Sequence, residues 1–363
     1  MMLTLDLNRF ERNRVLSLAQ KYLSASPTPI TSLVCSYSPG GPQDYFSEGD
    51  YWWRNPANPD GAYIQRDGET NPENFFGHRR LLITLSVQVA ALAAAYQLTR
   101  EKQYSDRAGA HLRAWFVDPQ TRMNPQLQYG QAIRGICTGR GTGLIDTLHL
   151  AEVALAAEAL NDALPEYRAI QNWFGEYLHW FTTHPYGIAE RDAQNNHVTC
   201  WVLQAAAFAR LVGNEEVSAD CRRRFKEILL PDQMAADGSF PRELVRTKPY
   251  SYSIFNLDVM AGICQLLSTP TDNLWRFETR DGRGLKRGME FLYPFLKEKS
   301  SWRWARDVMH WEGWPARQPA LLFCALAYDE PKYLELWKTL NPDPTDEEII
   351  RNLPIRQPVL WFS

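Results

Sequence analysis

Asn195-Asn196-His197-Val198-Thr199-Cys200-Trp201-Val202-Leu203-Gln204-Ala205-Ala206-Ala207-Phe208-Ala209-Arg210-Leu211 places two amides and an imidazole in front of a run that is apolar on nearly every side. A helix apolar all round has to be buried, so this run predicts a core helix over 195–212. Asn is a favoured residue at such a start, since its side chain accepts from the unpaired N–H groups of the first turn. One Asn satisfies that need. The second Asn and the adjacent His are not explained by it, and polar groups are costly to bury without partners. As a triplet they mark a candidate site.

Outward from this helix the same periodicity recurs. Apolar residues fall at helical spacing in 8–23, 78–98, 101–116, 143–160, 165–183, 215–229, 252–268, 283–297, 316–328 and 330–340, with short connectors between most of them. No stretch shows strand-like alternation. Ala-rich helices alternate with more charged ones, as in stacked antiparallel pairs. No repeat of fixed length is present, which favours a toroid over a regular solenoid. The expected fold is all-α, an incomplete (α/α) toroid of roughly six to seven hairpins in a single domain over 1–363. The proline-rich tail, 341–363, is expected to pack over the surface.

Composition narrows the function. The 39 basic and 42 acidic residues leave a net charge of −3, so no global field draws in nucleic acid or an anionic membrane. A polyanionic partner would have to be met by local positive charge. The six cysteines are scattered without metal-ligand spacing, and Cys200 and Cys264 read as small buried hydrophobes. Residues 1–25 lack a basic region followed by an apolar core, so no signal peptide is expected in this chain, and no apolar run is expected to reach membrane-spanning length. Thirteen Trp is a heavy aromatic load, and aromatic surface outside a core often stacks on ligands.

Three polar regions interrupt the helices. The irregular stretch 30–77 is too long for an idle connector and too aromatic for disorder. Its Tyr51, Trp52, Trp53 and Arg54 suit either a sugar-stacking wall beside a cation or a plug for one end of the fold. Segments 118–141 and 237–252 read as loops crossing a cleft, where sites on rigid scaffolds usually lie. A further candidate is His310-Trp311-Glu312-Gly313-Trp314-Pro315.

These segments together resemble the alginate lyase superfamily. Phe116-Val117-Asp118-Pro119-Gln120-Thr121-Arg122-Met123-Asn124-Pro125 with Tyr129-Gly130-Gln131 is similar to one of its motifs. Asn195-Asn196-His197 matches its Asn-Asn-His triplet, and Asp50-Tyr51-Trp52-Trp53 with Asn58-Pro59-Asp60-Gly61 resembles its N-terminal loop. Glu243-Leu244-Val245-Arg246 followed by Tyr252 resembles its Arg/Tyr segment. The resemblance runs over roughly 45–265 with the motifs in order, far more specific than any one alone. Where alginate-specific members carry a His-Tyr pair, this chain reads Tyr250-Ser251-Tyr252, closer to broader-specificity uronate lyases of the superfamily. The resemblance implies a periplasmic or secreted enzyme acting on an anionic polysaccharide, with no nucleic-acid or membrane partner.

The implied reaction is β-elimination on a 4-linked uronic-acid polymer such as alginate or a glucuronan. Its C5 proton is weakly acidic while the neighbouring carboxylate is ionised, so the site must neutralise that charge and supply a base and an acid. Asn196, His197 and Arg246 fit the neutralising roles. Tyr252 fits the base and acid if a nearby Arg lowers its phenol pKa; for the C5 epimer His197 is the natural base. Tyr250 is the other candidate phenol and otherwise a substrate contact. Trp52, Trp53, Tyr129, Gln131 and Arg140 are expected to bind substrate, although Arg140 could equally pair with Asp146. No metal or cofactor is required. Two alternatives stand beside this reading. A glycoside hydrolase would need two flanking carboxylates, for which Glu190, Asp192, Glu243 and Asp258 are available. A non-catalytic polyuronate-binding protein would keep the aromatic wall alone.

Overall fold

The computed structural model describes residues 3–362, and helices supply nearly all of its regular structure. The chain groups into two compact units. The first comprises Asp6–Arg191, Ala207–Asn214 and the C-terminal residues from Gln357. The second comprises Asp192–Ala206 and Glu215–Arg356, with a short N-terminal piece.

The first unit holds α1 (Leu7–Tyr22), β1 (Phe46–Glu48), β2 (Trp52–Trp53), β3 (Ile64–Gln65), α2 (Gly77–Thr99), α3 (Lys102–Phe116), β4 (Tyr129–Ala132), α4 (Leu150–Ala159), α5 (Tyr167–Thr183) and α6 (Pro185–Arg191). Asp6 starts α1 by accepting from the Arg9 N–H at 3.0 Å, the usual cap for an otherwise unpaired donor. At its centre is α2, packed against α1, α3 and α4. Its 23 residues are long and apolar enough to cross a membrane, contrary to the expectation that no apolar run reaches that length. Leu82, Leu85 and the whole of Val89–Tyr96 are buried, however, and their apolarity is that of a core helix.

Two departures from the sequence reading concern this unit. Short strands are present: β1 pairs in parallel with β4, Phe46 opposite Tyr129 and Glu48 opposite Ala132, while β2 and β3 form a small antiparallel pair. At two to four residues each, they are too short to show alternation. The tail is also not a surface strap. Val359, Leu360 and Trp361 are buried, and both the Gln357 N–H and the Trp361 indole donate to the buried carboxylate of Glu152, at 2.8 and 3.0 Å. Proline hides the tail's apolar content from a periodicity argument, because it breaks the helical spacing.

The second unit begins with the head of α7 (Asn196–Val212), whose last residues belong to the first. It continues through α8 (Glu215–Arg224), a π-helical turn Phe225–Leu229, α9 (Leu230–Gln233), α10 (Pro241–Leu244), α11 (Pro249–Leu267), α12 (Leu285–Lys297), α13 (Pro319–Tyr328), α14 (Pro331–Thr339) and α15 (Glu347–Arg351). Buried α11 packs against α10, α12 and α13. As expected, Cys200 and Cys264 lie in the core. Gly238, at φ +90°, lets the loop before α10 lie on the backbone of α12, where a Cβ would sit 2.2 Å from the Arg287 carbonyl.

A buried polar chain fixes α7 to α11. Gln233 of α9 donates from Nε2 to Thr199 Oγ1 at 2.9 Å, and its Oε1 accepts from Asn256 Nδ2 at 3.0 Å. All three residues are buried. Replacing Gln233 with Ala strands a hydroxyl and an amide in the core, each costing about 1–3 kcal/mol. The expected result is a lower denaturant midpoint with an unchanged slope, read by urea unfolding; an unshifted midpoint would show the chain to be dispensable.

Candidate active site

The head of α7 divides its two asparagines between two jobs. Asn195 is the cap: its Oδ1 accepts from the His197 N–H at 3.3 Å. Asn196 is held differently. Its backbone N–H donates to Glu243 Oε1 and its amide Nδ2 to Glu243 Oε2, both at 2.8 Å. One residue thus occupies both oxygens of a buried carboxylate, and one N–H of the Asn196 amide remains for a ligand. Next to this clamp, Arg242 donates to the backbone carbonyl and side-chain oxygen of Gln194, at 3.1 and 2.5 Å. Short α10 is thereby pinned to the start of α7.

Arg246 lies one helical turn beyond Glu243. Its Nη1 is 3.8 Å from Glu243 Oε2, and its guanidinium carbon sits 4.5 Å from the centre of the Tyr252 ring. His197, half-buried, acts with Arg246 to favour the Glu243 carboxylate electrostatically. Burial outweighs both. It raises the Glu243 pKa above the ordinary glutamate value, despite the opposing hydrogen bonds from Asn196 and the influence of Arg246 and His197. Asn196, Arg246 and Tyr252 are therefore linked through Glu243, with His197 in its field.

The first turn of α11, which carries Tyr252, is anchored from outside. Asp307 accepts from the N–H groups of Tyr250 and Ser251 at 2.9 and 3.0 Å, satisfying two donors at a helix start. Lys248, just before the helix, is buried in a 2.9 Å ion pair with Glu348, which also binds Arg351 at 2.9 Å. Tyr250, expected as a substrate contact, is wholly buried: its hydroxyl donates to the Phe295 carbonyl at 3.0 Å and its ring packs on Trp302 and Trp311. That is a core position, with no face left for a sugar.

Trp52, Trp53, Tyr129, Gln131 and Arg140 all belong to the first unit. Gln131, buried and at φ +51°, donates to Asp146 at 3.1 Å and accepts from Arg140 Nη2 at 2.8 Å. The anticipated Arg140–Asp146 ion pair is thus replaced by an amide bridge, because Asp146 is already engaged by Tyr45, Ser47 and Arg79. Arg140 Nε donates to the Gln131 carbonyl at 3.1 Å, and its guanidinium lies 5.8 Å from the Trp52 ring centre. The Trp52 indole N–H is buried without a partner, whereas that of Trp53 donates to the Glu69 carbonyl at 2.9 Å. Tyr129 packs its ring into the small cluster of Cys35, Phe46 and Ala132.

Two of the four carboxylates that a hydrolase could draw on are occupied. Asp258 is sealed in the core, where it accepts from the Ala320 N–H at 3.0 Å, and Glu243 is taken up by Asn196. Among the described residues no three His, Cys, Asp or Glu side chains converge as a metal site. Sequence reading passed over Glu243 as a partner of Asn196, although its three-residue spacing from Arg246 put both on one helical face. Asp307 gave no such signal, since its role depends on a contact across 56 residues.

Comparisons with known proteins place the chain by family and fold. The alginate lyase family model matches residues 34–302, about three-quarters of the chain. An alginate lyase from Bacteroides ovatus superposes with a TM-score of 0.85 at 29% identity, over 99% of this chain and 94% of that one. Alginate lyase A1-III from Sphingomonas species A1 shares the fold at 15% identity, with a TM-score of 0.53 over 88% and 85%. A histidine-to-alanine variant of A1-III complexed with tetrasaccharide matches at 14% identity, with a TM-score of 0.55 over 87% and 84%. A comparison with curated proteins gives no match. The all-α, α/α-toroid class expected from the sequence is that of these lyases, and the chain belongs to the alginate lyase family of polysaccharide lyases.

Proposed function

We propose that the protein cleaves a 4-linked uronic-acid polymer, alginate being the first candidate, by β-elimination at the Asn196–His197–Arg246–Tyr252 cluster. The observation that carries this reading is the guanidinium of Arg246 over the Tyr252 ring, tied through Glu243 to an Asn196 amide with one N–H to spare. Asn196, His197 and Arg246 bind the uronate carboxylate and stabilise the charge that builds on it as C5 loses its proton. The Tyr252 phenolate takes that proton as the C4–O bond breaks and C4=C5 forms, then returns it to the departing oxygen. On the C5 epimer, whose proton lies on the other face, His197 serves as base. Trp52, Trp53, Tyr129, Gln131 and Arg140 are proposed as polymer contacts, and Tyr250 is left out because it is buried. Replacement of a histidine in one tetrasaccharide complex of A1-III, and of a tyrosine in another, fits the pair of roles given to His197 and Tyr252.

The test is a panel of mannuronate, guluronate and glucuronate polymers, read by ultraviolet absorbance of the unsaturated product. At least one polymer is expected to give a steady absorbance rise. Reducing ends without that absorbance would mean hydrolysis, and binding of every polymer without turnover would mean a carbohydrate-binding protein.

A further inference from the structure

The loop from Lys299 to Trp314 carries four tryptophans and several cations, and none of the roles above uses it. It is strapped to the catalytic segment. Asp307 caps α11 as described, and the Val308 N–H donates to the Thr247 carbonyl at 3.1 Å, one residue after Arg246. Most polar groups on the loop are occupied: Lys299 donates to the carbonyls of Trp311 and Trp314, Trp302 Nε1 to Ala305, and His310 pairs with Asp346 at 3.0 Å. Arg306 differs. Like Arg303 it is exposed and has no ion pair among the described residues, and in addition its guanidinium lies 5.6 Å from the centre of the Trp311 ring. Two residues along the loop, Val308 is 53% exposed. A planar, permanently charged fork beside apolar side chains suits a sugar acid, whose carboxylate takes the fork while its C–H face lies on the hydrocarbon.

We propose that Arg306 and the Trp311–Val308 surface form a second uronate subsite, binding the carboxylate of a sugar next to the one that reacts. The proposal rests on the lyase reading of the Arg246–Tyr252 cluster, and it assigns Arg306 to binding rather than chemistry. Arg306→Ala and Arg306→Lys are compared with the unsubstituted enzyme on uronate oligosaccharides of increasing length, by absorbance of the unsaturated end. An exposed pair of this kind predicts about a two- to fivefold rise in KM for Arg306→Ala on long chains, with kcat unchanged. The rise should vanish for the shortest oligomer that is still cleaved, and Lys should restore part of the affinity. A change in KM independent of chain length, or no change, overturns the subsite. Calorimetric titration of oligouronate into Tyr252→Phe with and without Arg306→Ala gives the same test without turnover: equal affinities sink the subsite, while absent elimination in the parent enzyme sinks the lyase reading alone.

Discussion

Tyr252→Phe is expected to lower kcat by roughly 10³–10⁴ while leaving the affinity for polymer within a few-fold, because the substitution removes one oxygen that has two tasks. In the proposed reaction the phenolate takes the C5 proton and the same group returns it to the leaving oxygen, and a positioned acid–base group commonly contributes two to four powers of ten. Structure should not suffer. Tyr252 is buried to 7% exposure, yet its backbone N–H stays in the α11 ladder to Lys248, and the ring that Arg246 covers remains in Phe. The measurement is kcat and KM on a polymer cleaved by the parent enzyme, with circular dichroism to establish the fold. Near-normal turnover would remove Tyr252 from the chemistry. His197→Ala belongs beside it: both variants are expected to lose elimination, and on the C5 epimer of the sugar the histidine variant should be the more impaired. Were both to keep normal turnover, the site itself would be misplaced.

The sequence exposed the helices well, for a physical reason. Runs such as Val89–Tyr96 and Cys200–Ala209 are buried on all sides, and burial of that kind demands apolar residues at nearly every position, Gln204 being the polar exception. Polar residues at the head of one such run had to have partners, which is how Asn196 and His197 stood out. What stayed hidden depended on contacts distant in sequence. Asp307 caps a helix from a loop, Gln233 bridges two helices, and β1 finds β4 across some eighty residues, so none leaves a local pattern. Proline concealed the buried tail. Tyr250 and Tyr252 could not be told apart by spacing, since both sit in the first turn of α11. The structure separates them by direction: one faces the core and Phe295, the other Arg246.

Glu243→Gln is expected to lower kcat about a hundredfold without lowering stability at neutral pH, a combination that distinguishes a positioning residue from a structural one. The carboxylate accepts from Asn196 twice, through both oxygens, whereas an amide offers one acceptor and turns an NH2 toward the other donor. Asn196 then loses its fixed orientation, and the neutralising donors no longer converge; removal of one preorganised donor of this type commonly costs two to three powers of ten. Stability runs the other way. Burial raises the folded pKa of Glu243 above its unfolded value, so the folded state favours the protonated form. Its contribution to stability is complete below the unfolded pKa and is lost as pH rises through the folded one. Burial therefore opposes the ionised side chain, a cost that the uncharged Gln does not carry. The melting temperature of Glu243→Gln should match or exceed that of the parent at pH 7, with the gap closing as pH falls through the carboxylate range. The acid limb of kcat/KM, which in the parent should lie above the ordinary glutamate range, should lose that step in the variant. A variant with normal kcat and a lowered melting temperature would make Glu243 a buried strut and nothing more. On the proposed reading, a carboxylate whose ionisation burial opposes is kept because it orients the Asn196 amide beside Arg246.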